Sequence, residues 1–317
     1  MIKKYLALCL ILWSVPAHAV DFDAWMRDFR QDATQAGISA RALSALNGLA
    51  PDADVIELDQ KQPEHKITFA EYLPKVMSAD RIRRGKRLLA EHEARLDKIE
   101  ERYGVPGKYI VALWGIESSF GVSPGNFSVL QSLSTLAYEG RRADFFRGEL
   151  LDALRILDSE HVGPDVLSGS WAGAMGQCQF MPSTYLRYAV DGDGDGKRDI
   201  WNSLPDIFAS MARYLQAEGW KAGQEWGMAV KPPRAVAPRL VGLTQAQPLT
   251  VWKKLGFKSI HGEILDADSA TMYSLVQPDG PKGPSYLAGN NFKTLMRWNR
   301  STYFATTVGL LADRIEP

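Results

Sequence analysis

Cysteine is nearly absent: the 317-residue chain has two, Cys9 and Cys178. If the segment carrying Cys9 is removed as a leader, Cys178 has no partner and the mature chain holds no internal disulfide. No histidine close by in sequence could serve Cys178 as a base, so it reads as a small buried thiol rather than a nucleophile. A charge excess is absent too, with 37 basic against 37 acidic residues. Nucleic-acid partners call for a basic excess, so none is expected. No apolar run reaches the about 20 residues that a membrane-spanning helix requires. What the chain does have is 45% hydrophobic content, with nine Trp and eleven Tyr. That is enough for a sizeable core and one or two domains.

The first residues, MIKKYLALCLILWSVPAHA, carry Lys3 and Lys4, an apolar stretch from 5 to 15 and the small-x-small pattern Ala17-His18-Ala19. This is the pattern of a secretory signal peptide cleaved after Ala19. Lipid attachment at Cys9 is not expected, because Leu8 is larger than the residue that usually precedes a lipidated cysteine.

Residues 20–103 read as an N-terminal helical region. Its last part, 79–103, looks like one run with Leu88, Leu89, Leu96 and Ile99 at helical spacing and a solvated charged face. Gly104 and Pro106 end that run and start a new helix. Residues 104–225 form the next unit, with helical patterns at 144–159 and 206–216. From 226 to 290 Pro and Gly become frequent, and the runs LTVW (249–252) and MYSLV (272–276) read as strands of a small inserted β subdomain. Residues 291–317 turn helical again, with a break at Trp298-Asn299, and return to the core. The fold class is mainly α.

One carboxylate is out of place. In LWGIESSFG (113–121), a helix begun at Pro106 puts Ile110, Leu113, Glu117 and Phe120 on one apolar face, and Gly121 stops it. Burial and the nearby helix C-terminus both disfavour a negative charge, so the carboxyl is expected to hold its proton to higher pH and to serve as an acid. The spacing alone also fits a structural glutamate paired with an arginine. A second stretch, GSWAGAMGQCQFMPSTY (169–185), offers neutral hydrogen-bonding groups (Ser170, Gln177, Gln179) and flat faces (Trp171, Phe180, Tyr185). Its small residues, Gly173, Ala174 and Gly176, would let a large ligand approach the backbone. Such a mixture suits a carbohydrate; tight helix packing through small residues is the other reading.

The two stretches together, VPxxYIVALWGIESSFG and SWAGAMGQxQFMPSTY, resemble the lytic murein transglycosylase B family. RRADFF at 141–146, YLQAEGW at 214–220 and WNRSTYFA at 298–305 match it as well. The resemblance implies a lysozyme-like helical catalytic core with an added helical domain and a small β domain. It implies cleavage of the β-1,4 bond between N-acetylmuramic acid and N-acetylglucosamine in peptidoglycan, leaving a 1,6-anhydro-muramic acid end. Glu117 then becomes the sole catalytic acid/base. Ser170, Gln179, Tyr214 and Asn299 fall on positions that line the glycan groove, and Arg141 and Arg142 on positions near the stem peptide. Phe304 stands where the family often has Tyr. No cofactor is expected for catalysis. The partners implied are peptidoglycan glycan strands and, further, other cell-wall enzymes; the location implied is the periplasm, as a soluble protein. A hydrolytic muramidase and a non-catalytic glycan-binding scaffold are the competing functions.

Residues 191–202, DGDGDGKRDIWN, place Asp191, Asp193, Asp195 and Asp199 at positions one, three, five and nine of an EF-hand loop. Gly196 is at six, and the Lys197 carbonyl at seven. Position twelve is Asn202 instead of Glu. By resemblance to the family's longer loop, Asp206 becomes the candidate last ligand of a structural calcium site. A solvated run of Asp-Gly turns is the alternative.

Overall fold

The computed structural model describes residues 21–61, 67–160, 163–260 and 271–316. The leader pattern at 1–19 lies outside them. Six helices come first: α1 (Phe22–Gln35), α2 (Ala40–Ser44), α3 (Ala53–Gln60), α4 (Phe69–Val76), α5 (Ala79–Glu91) and α6 (Glu93–Tyr103). Polar side chains start most of them by taking orphan backbone N–H groups: Ser39 for α2, Asp52 for α3 and Ser78 for α5. Thr68 and Glu71 form a reciprocal capping box at α4. The run 79–103 is thus two helices, divided at His92, where no Gly or Pro intervenes. The His92 ring packs against Phe208 and Trp114, with centroids 5.6 and 6.2 Å away. A tertiary contact there overrides a continuous helical propensity. Gly104 ends α6 in the left-handed conformation, as its sequence position predicts.

The central helix α7 (Gly107–Ser118) is followed by β1 (Phe127–Ser128), α8 (Val129–Glu139), α9 (Ala143–Glu160), β2 (Ser168–Gly169), α10 (Pro182–Tyr188) and α11 (Leu204–Ala217). Strands β1 and β2 pair antiparallel, Phe127 opposite Gly169. Helices α5, α6 and α11 pack against α7, as does a later helix, Thr302–Ile315.

Next come β3 (Gly227–Lys231), β4 (Gln247–Pro248), α12 (Leu249–Lys254), β5 (Lys258–Ser259), β6 (Met272–Val276) and β7 (Ser285–Ala288). Their antiparallel sheet has the order β4-β6-β7-β3-β5. Val230, Leu249, Trp252, Phe257, Tyr273, Leu275 and Leu287 form a second, smaller core there. The run 272–276 is a strand, as expected; 249–252 is not. It is the first turn of α12, and the buried Trp252 indole donates to the Tyr273 carbonyl at 3.0 Å. A four-residue apolar run has too few residues for its period to separate strand from helix.

The chain ends in α13 (Asn290–Trp298) and α14 (Thr302–Ile315), broken at Asn299 where the sequence predicts a break. Among the described residues no helix is long and apolar enough to cross a membrane.

Candidate active site

The site is built on α7. Ten of its twelve residues are buried, on every face, so it is a core helix rather than an amphipathic one. The exceptions are Ile116 and Glu117, which are half-buried. Glu117 therefore stands where the cover over α7 opens, near the helix C-terminus.

The segment after it turns sharply. The helix ends at Ser118, and Ser119 and Phe120 take φ of 52° and 58°, so Phe120 does not continue the helical stripe. Its ring instead folds back over Gly115, where a Cβ would come within 2.6 Å of it. The Ser118 hydroxyl accepts from the Gly121 N–H at 3.1 Å and donates to the Trp114 carbonyl at 3.2 Å. From α5, Arg84 donates to the Ser119 carbonyl and Arg81 to the Ser119 hydroxyl, both at 3.2 Å. Two non-glycine residues with positive φ are costly, and these contacts hold them in place.

The Trp298 indole N–H donates to Glu117 Oε1 at 2.6 Å. Burial pushes the Glu117 carboxyl up to about 7, and the Trp298 hydrogen bond acts against that shift. Among the described residues no second carboxylate contributes to the shift. Trp298 is in turn held by aromatic packing, with ring centroids 4.7 Å from Tyr214 and 5.4 Å from Phe180. The Tyr214 hydroxyl donates to the Arg297 carbonyl at 2.8 Å. Tyr214 is buried, so it positions Trp298 and presents little surface of its own. Tyr72, from α4, is close enough that the Glu117 charge raises its hydroxyl pKa, after burial as the larger cause.

Ser170 and Gln179 flank the loop that follows α7. Gln179 has φ of 52°, and its amide N–H groups reach the Pro124 and Gly176 carbonyls at 2.7 and 2.8 Å. This orientation leaves its Oε1 as an acceptor. The Ser170 hydroxyl accepts from the Ala174 N–H at 3.1 Å, which leaves its own hydrogen to donate. Both residues are half-buried, and Asn299 is exposed. Gln177 behaves otherwise. It accepts the Trp114 indole N–H at 2.7 Å and donates to the Trp201 carbonyl at 2.7 Å, so its amide belongs to the framework. Phe180 and Tyr185 are buried and offer no open face, which leaves Trp171 half-exposed. Cβ atoms at Gly173 and Gly176 would strike Leu133 and Ile200; these glycines serve internal packing. The Cys178 thiol is buried, and burial raises its pKa well above the usual value, as an inert structural thiol requires.

Arg141 lies between α8 and α9, paired with the buried Asp59 of α3. Arg142 stacks over Phe145, its guanidinium carbon 4.5 Å from the ring centre. Phe304 is buried.

In the Asp-rich loop, one carboxylate oxygen from each of Asp191, Asp193 and Asp206 lies within 4.8 Å of the others. Asp195 and Asp199 stand outside this cluster. The Asp195 carboxylate takes the Lys197 N–H, and that of Asp199 takes the N–H groups of Trp201 and Asn202. The buried Asp206 accepts from the N–H groups of Gly192 and Asp199 at 2.8 and 2.7 Å, tying the loop's two ends together. Three converging carboxylate oxygens are the hard ligand type that calcium takes, and would supply part of the about six to eight oxygens it needs.

A half-buried carboxyl, with no second carboxylate acting on it among the described residues, an indole donor and a loop of amide and hydroxyl groups on a helical core define a glycan-cleaving class of site. The model of the transglycosylase SLT domain matches residues 21–313, and the chain belongs to that family. It is 34% identical over 258 residues to the membrane-bound lytic murein transglycosylase B of Escherichia coli K12, covering 77% of this chain and 66% of that one. The crystal structure of SltB3 from Pseudomonas aeruginosa in complex with NAG-NAM-pentapeptide is similar, with TM-score 0.89, 44% identity, and 93% of this chain and 79% of that one covered. The structure of the E. coli lytic transglycosylase Slt35 in complex with calcium gives TM-score 0.78 at 29% identity, with 92% of each chain covered. The mainly helical, lysozyme-like class expected from sequence is the one observed.

Trp298 and Tyr72 are the functional neighbours that sequence reasoning passed over. The only sequence signal for Trp298 was its place beside Asn299 in a late motif; Tyr72 gave none.

Proposed function

We propose that this chain is a peptidoglycan lytic transglycosylase. The observation that carries the reading is the Glu117 carboxyl: raised toward neutrality by burial, influenced by no second carboxylate among the described residues, and aligned by Trp298. An ordinary glycosidase that uses water has two carboxylates flanking the bond, except where the substrate's own N-acetyl group stands in for one. A single one suffices when the nucleophile is already part of the substrate.

In the proposed reaction, Glu117 gives its proton to the glycosidic oxygen, the muramic acid C1–O bond breaks, and N-acetylglucosamine leaves with a new C4 hydroxyl. The muramic acid N-acetyl oxygen stabilises the cationic C1. Ionised Glu117 then takes the proton of the C6 hydroxyl, and O6 attacks C1 to close the 1,6-anhydro ring. The carboxyl is restored and no water is consumed. Intramolecular attack supplies the proximity that a second catalytic group would otherwise provide. Ser170 and Asn299 orient the N-acetyl group, Gln179 offers its Oε1 to a sugar hydroxyl, and Tyr214 fixes Trp298. Arg141 and Arg142 stand toward the stem peptide, where their charge suits carboxylates.

In this reading residues 104–225 are the catalytic core, 226–290 the β subdomain, and the partner is the glycan strand in the periplasm, reached through the leader at 1–19. Calcium held by Asp191, Asp193 and Asp206 would brace the loop that precedes α11. Mass spectrometry of digested sacculi tests the reaction: anhydro ends are expected, and reducing ends would make the enzyme a muramidase. Glu117→Gln should abolish release while the fold persists, and sacculus binding without turnover by the wild-type protein would leave only a scaffold.

A further inference from the structure

Beyond the aromatic layer that holds Trp298 lies a pocket of about 280 Å³ that the reaction above does not use. Arg187, Arg297 and Arg300 line it together with Tyr188, Tyr214 and Glu218. Three guanidinium groups face one carboxylate, so the pocket keeps a positive excess. Glu218 is already occupied: it accepts the Tyr188 hydroxyl and lies 3.8 Å from Arg297. Arg297 is fixed further by donating to the Glu218 carbonyl. Arg187 lies over the Tyr188 ring, its guanidinium carbon 5.7 Å from the centre. The guanidinium also lies within hydrogen-bonding reach of the Tyr188 hydroxyl and near the Glu218 charge, so only the rest of its fork faces the pocket. Arg300 is exposed, one residue past Asn299.

The pocket and the catalytic acid share one short piece of chain. Arg297 and Arg300 line the pocket, and Trp298, between them, donates to Glu117. Tyr214 belongs to both, since it lines the pocket and packs edge-on to Trp298 at 4.7 Å. Glu117, Trp298, Tyr214 and the pocket are thus linked by direct contacts. In a peptidoglycan strand the muramic acid bears a peptide whose free carboxylates suit planar guanidinium forks.

Resting on the transglycosylase reading, we propose that the Arg187–Arg297–Arg300 pocket binds a carboxylate of the substrate's stem peptide and selects peptide-bearing over peptide-free glycan. The set is separate from Arg141 and Arg142, one of which is committed to Asp59 and the other stacked on Phe145. The pocket makes Arg187 and Arg300 specificity-determining residues; Arg297 is the fixed element, since Glu218 holds it.

The test compares the full wild-type chain with Arg187→Ala/Arg300→Ala on three substrates. These are glycan strands with free-carboxylate stems, the same strands with the stem carboxylates amidated, and strands freed of peptide by an amidase. The wild type should favour the first. The double variant should raise KM for it by about five-fold, the order of one or two exposed charge-assisted hydrogen bonds, with kcat and the peptide-free reaction unchanged. Arg187→Lys/Arg300→Lys should recover part of the loss. Equal use of all three substrates by the wild type would overturn the proposal, as would equal losses on peptide-bearing and peptide-free strands. Inorganic phosphate separates a stem-specific pocket from a general anion site. Competition against the free-carboxylate substrate alone supports the proposal, and equal inhibition of all three overturns it. Calorimetry of a peptide-bearing disaccharide on Glu117→Gln reads the pocket without turnover. Weaker binding after loss of the two arginines supports it and unchanged binding refutes it, whereas failure of the lytic reading itself would show as missing anhydro products.

Discussion

Gln177 accepts the indole N–H of Trp114 at 2.7 Å, joining the helix that carries Glu117 to the loop that carries Ser170 and Gln179. Trp114 is three residues before Glu117, and the other end of the Gln177 amide is spent on the Trp201 carbonyl. The two motifs are therefore one unit mechanically, held by a side chain whose amide is committed at both ends to the framework.

Gln177→Ala should accordingly act through stability. It leaves the Trp114 N–H and the Trp201 carbonyl without their partner, at a cost of about 1–3 kcal/mol. Urea denaturation should show a lower midpoint with an unchanged slope. Glycan affinity at a temperature where the variant is folded should stay near wild type; a loss of affinity alone would place Gln177 in the substrate site after all.

The rate should depend on pH through Glu117. The acid must be protonated in the free enzyme, so kcat/KM falls as pH rises through about 7. The Trp298 hydrogen bond favours the ionised form, so Trp298→Phe should move the alkaline limb to higher pH while lowering the maximum. A limb that stayed in place or moved down would contradict that role. The profile is measured on soluble strands so that the charge of the sacculus does not change with pH.

The same carboxyl costs stability. A group whose folded-state pKa is raised contributes stability that is full below its unfolded value, here 4.5, and is lost as pH rises through about 7. Glu117→Gln keeps an acceptor for Trp298 and removes the charge. It should match the wild type near pH 4 and exceed it by on the order of 2 kcal/mol at pH 8. Thermal melts at the two pH values check this, and a variant less stable than wild type at pH 8 would count against the raised pKa.

Calcium should raise the melting temperature of the wild-type chain and give a measurable heat of binding. Asp191→Asn and Asp193→Asn should each weaken the effect, since both carboxylates belong to the converging cluster. Asp195→Asn, outside that cluster, should do less. Melts unchanged by calcium, with no heat, would leave the loop as a set of Asp-Gly turns braced by Asp206.

Much of the frame was legible before the structure. Gly104 as a helix end, residues 272–276 as a strand and the break at Asn299 follow from local chemistry that needs no partner. Glu117 was legible because a carboxylate inside LWGIESSFG contradicts its surroundings. Local pattern failed where a distant contact decides. His92 divides a continuous helical run because rings from α7 and α11 meet it. The run 249–252 turns helical as Trp252 finds the Tyr273 carbonyl. Gln177 and Gln179 sit two residues apart with the same functional group, yet the fold assigns one to the framework and leaves the other an open acceptor. Nothing in the sequence joins Trp298 to Glu117.

Those two residues are 181 positions apart. Glu117 therefore gains its indole partner only where α13 is in place, and a chain cut short before α13 would keep the glutamate of α7 while losing the group that aligns it.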